Sequence, residues 1–266
     1  MALPRLGFVV SKRPDVGEVV GRLHEAASAR GFDTTDVAPG AGTDCDVVVG
    51  VGGDGTLLEA AAVAHGADIP VVGVNLGTVG YLTEFEPDQI DLLLATLASD
   101  PLPVRGRMTL RAETEDGRAW HGINDVVVEK VVSRRIVRLA VTIDGEYFTT
   151  YRADGIIVAT PLGSTAYSLS VGGPVLTPEL EAMVLSPVAP HSLLSRSLVL
   201  APQTVVEIVV AADRPVQVNV DGVDACRLGE RDRLVVRSGE RPVWFVSLGH
   251  NPFPQGVRKQ FGIDHA

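Results

Sequence analysis

The stretch VVVGVGGDGTLLEA, residues 47–60, decides how the rest of the chain is read. An apolar run ends in a glycine-rich turn, and a string of leucines and alanines follows at once. A buried strand, a glycine turn and a helix in that order open a parallel α/β unit. Gly50, Gly52 and Gly55 also spell G-x-G-x-x-G, the fingerprint of a dinucleotide-binding turn. That fingerprint wants an acidic residue beyond the next strand, to hold ribose hydroxyls. Here the next strand ends on Asn75 and runs into LGTVG. A carboxylate at Asp54 would also face the pyrophosphate, a repulsion with no compensating gain. The fingerprint fails its context, and no G-x-x-x-x-G-K-[ST] loop occurs elsewhere.

The aspartate makes sense if the loop does chemistry on a phosphate. Glycines at 52, 53 and 55 let backbone N–H groups approach phosphate oxygens, and Thr56 opens a helix whose N-terminus favours anions. Gly52, Gly53, Gly55 and Thr56 are therefore read as a phosphate loop. Asp54 is placed to orient or deprotonate an attacking hydroxyl, or to help hold a bridging metal ion. Phosphoryl transfer asks little more of a carboxylate, because positioning and charge neutralisation carry most of the catalysis.

Outward from this loop, strand and helix alternate. LGFVV at 6–10 and IPVVGVN at 69–75 read as strands; the segments at 15–31, 56–66 and 87–98 carry helical apolar spacing. From about residue 103 the texture becomes short β-branched runs, with Asp-Gly pairs at 116–117, 144–145 and 221–222 as hairpin turns. One helical insertion is expected at 163–171, and the tail at 251–262 reads as a helix returning to the first domain. The expectation is an α/β N-terminal domain with a parallel sheet at 1–102, a β-rich, β-sandwich-like domain at 103–248, and a returning tail at 249–266.

Composition narrows the classes. With 266 residues, 45% apolar and 21% charged, the chain is globular rather than disordered. No apolar run approaches the roughly 18 residues of a membrane span, and MALPRLGFVV is too short for a secretory signal. A net charge of −10 argues against broad nucleic-acid binding. The two cysteines, Cys45 and Cys226, fit free thiols in a reducing cytoplasm. The six histidines show no metal-ligand spacing, and Trp120 and Trp244 read as core or interface.

A second stretch, RADGIIVATPLGSTAYSLSVGGP at 152–174, narrows the function. Asp154 precedes a strand; Pro161, Gly163, Ser164, Thr165 and Ser168 then make a small-residue turn suited to gripping a ribose or a base edge by hydrogen bonds.

Taken in order, GGDGT at 52–56, NLGTVGYL at 75–82, IND at 123–125, the 152–174 stretch and SPVAPHSLLSRSLVL at 186–200 resemble NAD kinases over nearly the whole chain. GGDGT alone is shared with lipid kinases; the DG-to-GSTAYSLS-to-GGP segment is far more specific. The resemblance implies transfer of a phosphoryl group from ATP, with magnesium or another divalent metal, to the adenosine 2′-hydroxyl of NAD. By similarity Asp54 is the catalytic carboxylate and, with Gly55, meets the substrate. Asn124 and Asp125 match the Asn-acid pair that contacts the dinucleotide. Asp154, with Arg152 beside it, contacts the nicotinamide end; Thr165, Ala166, Tyr167 and Ser170 line the adenine side. Arg135 falls where a neighbouring subunit supplies a contact, and the family implies a homodimer or homotetramer.

Three positions depart from the family pattern: Asp125 in place of the usual glutamate, Leu162 where a threonine is usual, and Val223 where DGQ is common. They leave open a kinase of the same fold with another hydroxylated acceptor; a non-catalytic dinucleotide-binding regulator is a separate competing reading, against which the intact Asp54 argues.

Overall fold

Valine-rich strands and alanine-rich helices build the first unit of the computed structural model, which describes residues 3–76, 82–132, 135–191, 194–249 and 253–263. In chain order this unit runs β1 (Leu6–Val10), α1 (Gly17–Ala29), β2 (Thr34–Asp36), β3 (Val47–Gly52), α2 (Asp54–Ala67), β4 (Val71–Asn75), α3 (Ile90–Leu97) and β5 (Val104–Arg107). The second unit holds β6 (Leu110–Thr114), β7 (Ala119–Gly122), β8 (Asp125–Lys130), β9 (Val137–Ile143), β10 (Glu146–Ala153) and β11 (Gly155–Ala159). A 3-10 turn (Leu162–Thr165) and α4 (Tyr167–Ser170) come next. Then follow β12 (Met183–Val188), β13 (Leu198–Leu200), β14 (Val206–Val210), β15 (Val216–Val220), β16 (Val223–Leu228) and β17 (Arg233–Ser238). The chain re-enters the first unit with β18 (Val243–Val246) and α5 (Phe253–Phe261).

The first sheet has the order β2-β1-β3-β4-β18-β5. Four of its pairings are parallel; β5 runs antiparallel to β18, so the sheet expected to be parallel is mixed at one edge. β2 was not anticipated: three residues, TTD, carry too little apolar signal, and only pairing with β1 makes them a strand. The units divide as Met1–Arg107 with Val243–Ala266, and Met108–Pro242. That differs from boundaries at 102 and 248, because β5 and β18 have the short, branched texture of the second unit yet pair in the first sheet. The LGTVG turn lies, from residue 77 on, outside the described residues.

Helix α2 is buried along most of its length, through Leu57, Ala60, Ala61, Val63, Ala64 and His65. Glycines in the neighbouring strands make room for it. A Cβ at Gly50 would sit 3.2 Å from the Leu57 Cα, and one at Gly73 would sit 2.7 Å from the Leu57 side chain. This close approach seats the first turn of α2 at the ends of β3 and β4. The core beneath comprises residues such as Leu6, Phe8, Val49, Val72, Phe85 and Leu93.

In the second unit every strand pairing is antiparallel, in two sheets ordered β10-β9-β14-β17-β6-β7 and β13-β12-β11-β8-β15-β16. Alternate residues of both sheets share one core, among them Leu139, Tyr151, Ile156, Met183, Ile208 and Val218. That is the arrangement of a β-sandwich. The other face of the second sheet, at Val127, Ile157, Ala159, Val184 and Val188, is covered by Val171 and Leu176, and β11 is buried on both sides. The Asp-Gly pairs turn two of its hairpins with left-handed φ at both residues: 50° and 82° at 144–145, 50° and 79° at 221–222.

Candidate active site

In the first unit, β3 ends at Gly52 and α2 begins two residues later at Asp54. Gly52 is required by packing, since a Cβ there would overlap Thr56 and lie 3.0 Å from the Ser11 Cβ. Gly53 and Gly55 are different. Neither has a positive φ, and a Cβ on either would meet nothing within 4 Å. The fold makes no demand for glycine at these two positions, which leave bare backbone beside open space. The half-buried Asp54 accepts the Leu82 N–H on Oδ1 at 3.1 Å, which fixes the carboxylate at the head of α2. Strand ends are tied across the loop: the Leu76 N–H donates to the Gly52 carbonyl at 2.9 Å, and the Arg13 guanidinium reaches the Leu76 carbonyl at 3.4 Å.

In the second unit, residues 123–125 form a short turn into β8, clamped from two directions. From the 221–222 hairpin turn, Asp221 accepts the Ile123 N–H on Oδ2 at 2.7 Å, and the Asn124 and Asp125 N–H groups on Oδ1 at 2.7 and 3.0 Å. From the end of β11, Thr160 donates its hydroxyl to the Ile123 carbonyl at 2.7 Å and its N–H to the Asn124 carbonyl at 2.8 Å. Gly163 packs flat on the same turn, where any Cβ would overlap the Asn124 carbonyl. The IND and PLGST segments, far apart in sequence, are thus welded into one surface.

The Asn124–Asp125 pair is left with unmet polar groups. Asn124 Oδ1 is buried with no partner, and no described residue hydrogen-bonds the Asp125 carboxyl, although Asp125 is 5% exposed. Burial, and then the charge of Asp221, push the Asp125 carboxyl up to about 7. Buried polar atoms without partners are uncommon and call for an explanation.

The remaining expected residues fall nearby or apart. Tyr167 and Ser170 are exposed on α4, with Thr165 and Ala166 half-buried ahead of it. Burial, followed by the charges of Glu129, Asp154 and Asp125, raises the Tyr167 phenol, which groups these four side chains. Asp154 pairs with Lys130 at 2.6 Å, and the Arg152 carbonyl accepts the His191 N–H at 2.7 Å. Arg135 is exposed ahead of β9 and makes no hydrogen bond or ion pair with the described residues. Asp221, Thr160 and Lys130 were not picked out from the sequence as site residues. Asp221 was marked only by its place in an Asp-Gly turn and by the DGQ pattern around it, neither of which gave it a role.

A carboxylate is held among glycines at a helix start in the first unit, and an Asn-acid turn is welded onto a β-sandwich in the second; neither by itself defines a class of protein. Comparison with known proteins makes the class specific. Residues 9–101 match the family model described as the ATP-NAD kinase N-terminal domain, and residues 123–248 match the ATP-NAD kinase C-terminal domain. The NAD kinase of Carboxydothermus hydrogenoformans is 38% identical over 220 residues, covering 81% of this chain and 79% of that one. That of Rhodococcus erythropolis is 37% identical over 247 residues, covering 90% and 78%. The fold is also that of yeast NADH kinase complexed with NADH (TM-score 0.90, 23% identity, 100% of this chain and 89% of that one). An NAD kinase from Archaeoglobus fulgidus in complex with ATP shares it as well (TM-score 0.78, 24% identity, 95% and 98%). The chain belongs to the NAD kinase family.

Proposed function

We propose that this protein transfers the γ-phosphoryl group of ATP to the adenosine 2′-hydroxyl of NAD, giving NADP and ADP. The observation that carries the reading is Asp54, held by the Leu82 N–H beside Gly53 and Gly55, whose missing side chains no part of the fold requires. In this reading Asp54 accepts the 2′-hydroxyl proton as the oxygen bonds to the γ-phosphorus. The bond from phosphorus to the bridging oxygen breaks, ADP leaves with the electron pair, and the proton passes to solvent. Asn124 and Asp125 bind the dinucleotide, with Asp154, Arg152 and the Thr165–Ser170 segment around it.

A divalent cation fits this loop as a companion of the donor. Among the described residues no group of three or more His, Cys, Asp or Glu side chains could hold a metal by itself. Magnesium is commonly held by one or two carboxylates plus substrate phosphates, and the donor's phosphates would be its main ligands here, with Asp54 beside them. When bound, such an ion neutralises the phosphate charge that develops during transfer.

Among the described residues no helix is long and apolar enough to cross a membrane. The two cysteines are free and buried. We place the protein in the cytoplasm as a homodimer or homotetramer; Arg135, exposed and unpaired among the described residues, is the group offered to a neighbouring subunit.

The test is a coupled assay with purified protein, ATP, magnesium and NAD, in which an NADP-specific dehydrogenase reports NADP. Substituting Asp54→Asn is expected to lower turnover by about 10²–10⁴-fold, the usual worth of a general base, while NAD binding remains measurable by calorimetry. Turnover within a few-fold of wild type in that variant removes Asp54 from the chemistry. If the wild type makes no NADP yet hydrolyses ATP, the acceptor is another hydroxylated molecule.

A further inference from the structure

We propose that Asp221 is a positioning residue for the dinucleotide: its carboxylate sets the backbone of residues 123–125 and thereby aims Asn124 and Asp125 at the ligand. The proposal rests on the reading of Asn124 and Asp125 as the dinucleotide-binding pair.

Three consecutive N–H groups converge on the two oxygens of one side chain, at 2.7, 2.7 and 3.0 Å. The Asp221 N–H closes the arrangement by donating to the Asp125 carbonyl at 3.0 Å. Such a nest of amides is built for an anion, since each N–H bond to a charged acceptor is stronger than one to a neutral acceptor. No amide side chain can replace it fully. Oδ1 takes two of the bonds and Oδ2 the third, so an asparagine keeps at most two and turns its NH₂ on the remaining donor. Asp221 is itself fixed at the head of a tight hairpin turn, at φ 50°. The segment it holds carries the unpartnered Asn124 Oδ1 and the buried Asp125 carboxyl.

Asp221 also acts on Asp125 through charge. The ionisable groups that face Asp125 are Asp221 from the β15–β16 turn and Tyr167 from α4; Glu129 and Asp154 lie around Tyr167, with Lys130 paired to Asp154. Burial, and then the negative charge of Asp221, retain the Asp125 proton toward neutral pH. Donor groups on a ligand favour the ionised form, so dinucleotide binding strengthens as pH rises through the titration of Asp125.

The experiment compares wild type with Asp221→Asn. NADP formation is followed at varied NAD, varied ATP and a series of pH values, and NAD binding is measured by calorimetry. Expected are a KM for NAD raised about tenfold, a KM for ATP changed by less than about twofold, and an acid limb of kcat/KM for NAD moved to lower pH by roughly half a unit or more. Backbone amide exchange in the wild type is measured alongside, and the amides of 123–125 are expected to be protected. An unmoved KM for NAD and acid limb in the variant overturns the proposal, as does an equal rise in both KM values. If the variant does not fold, amide exchange decides: protection at 123–125 supports the proposal, and exchange as fast as an exposed loop overturns it. A wild type that neither binds NAD nor makes NADP removes the reading underneath, and the proposal with it.

Discussion

Asp125 holds its charge at a cost that can be measured without any substrate. Burial, and then the neighbouring Asp221, raise its carboxyl from the ordinary 3.8 to about 7 in the folded protein. A carboxyl that binds its proton more tightly folded than unfolded makes the native state lose stability as pH rises between those two values. Its contribution is fully present below the unfolded value, declines through the acid range, and levels off above about 7. The full decline is on the order of a few kcal/mol. Asp125→Asn carries no such charge, so it is expected to stabilise the unliganded protein most at pH 8 and least near pH 4. Thermal melts of both proteins across that range check it; a difference constant with pH would mean that Asp125 does not titrate with folding. The family's more usual glutamate would place its carboxylate one methylene further from the backbone. The shorter side chain here leaves the charge closer to the turn and to Asp221.

At the scale of elements, glycines separate packing from function. Gly55 lies in the first turn of α2 with open space around it, so Gly55→Ala is expected to fold normally and gain up to about 1 kcal/mol from helix propensity. If the loop receives phosphate as proposed, its methyl group would stand in the way, and activity in the coupled assay is expected to fall at least tenfold. Gly163→Ala should do the reverse, because its Cβ overlaps the Asn124 carbonyl. Forcing the two segments apart costs roughly 1–3 kcal/mol, read as a lower melting temperature, with the KM for NAD rising as the turn shifts. The sequence signalled these elements unevenly. Strands β1, β3 and β4 and helices α1, α2 and α3 carry strong periodicity and glycine punctuation, and all were legible. The GGDG turn was legible because its aspartate contradicts a simple cofactor loop. Thr160 and Asp221 were not, because their roles arise from partners 37 and 98 residues away, bonds that no local pattern encodes. β18 was misplaced for the same reason: VWFV states that it is a strand and does not say which sheet it joins.

The path of the chain through its two units makes a prediction about the whole molecule. The second unit leaves the first at Arg107 and returns at Val243, and these two residues are register partners in the antiparallel pair of β5 and β18. Directly opposed residues on antiparallel strands lie about 4.5–5.5 Å apart at Cα, a gap a short hairpin turn can span. The second unit is therefore an insertion whose ends meet, a geometry that lets a domain be excised without stretching what remains. Its core draws on alternate residues of both of its own sheets, so it has the means to fold by itself. Residues 108–242, produced alone, are expected to show a cooperative thermal transition and a β-rich circular dichroism spectrum. The chain with 108–242 replaced by Asn-Gly should keep its α/β spectrum and lose all NADP formation. The fragment carries Asn124, Asp125 and Asp221 together, so its NAD binding, weaker than in the full chain, should fall further on Asp221→Asn. A fragment that stays unfolded would mean that the two-sheet core depends on the rest of the chain for its stability.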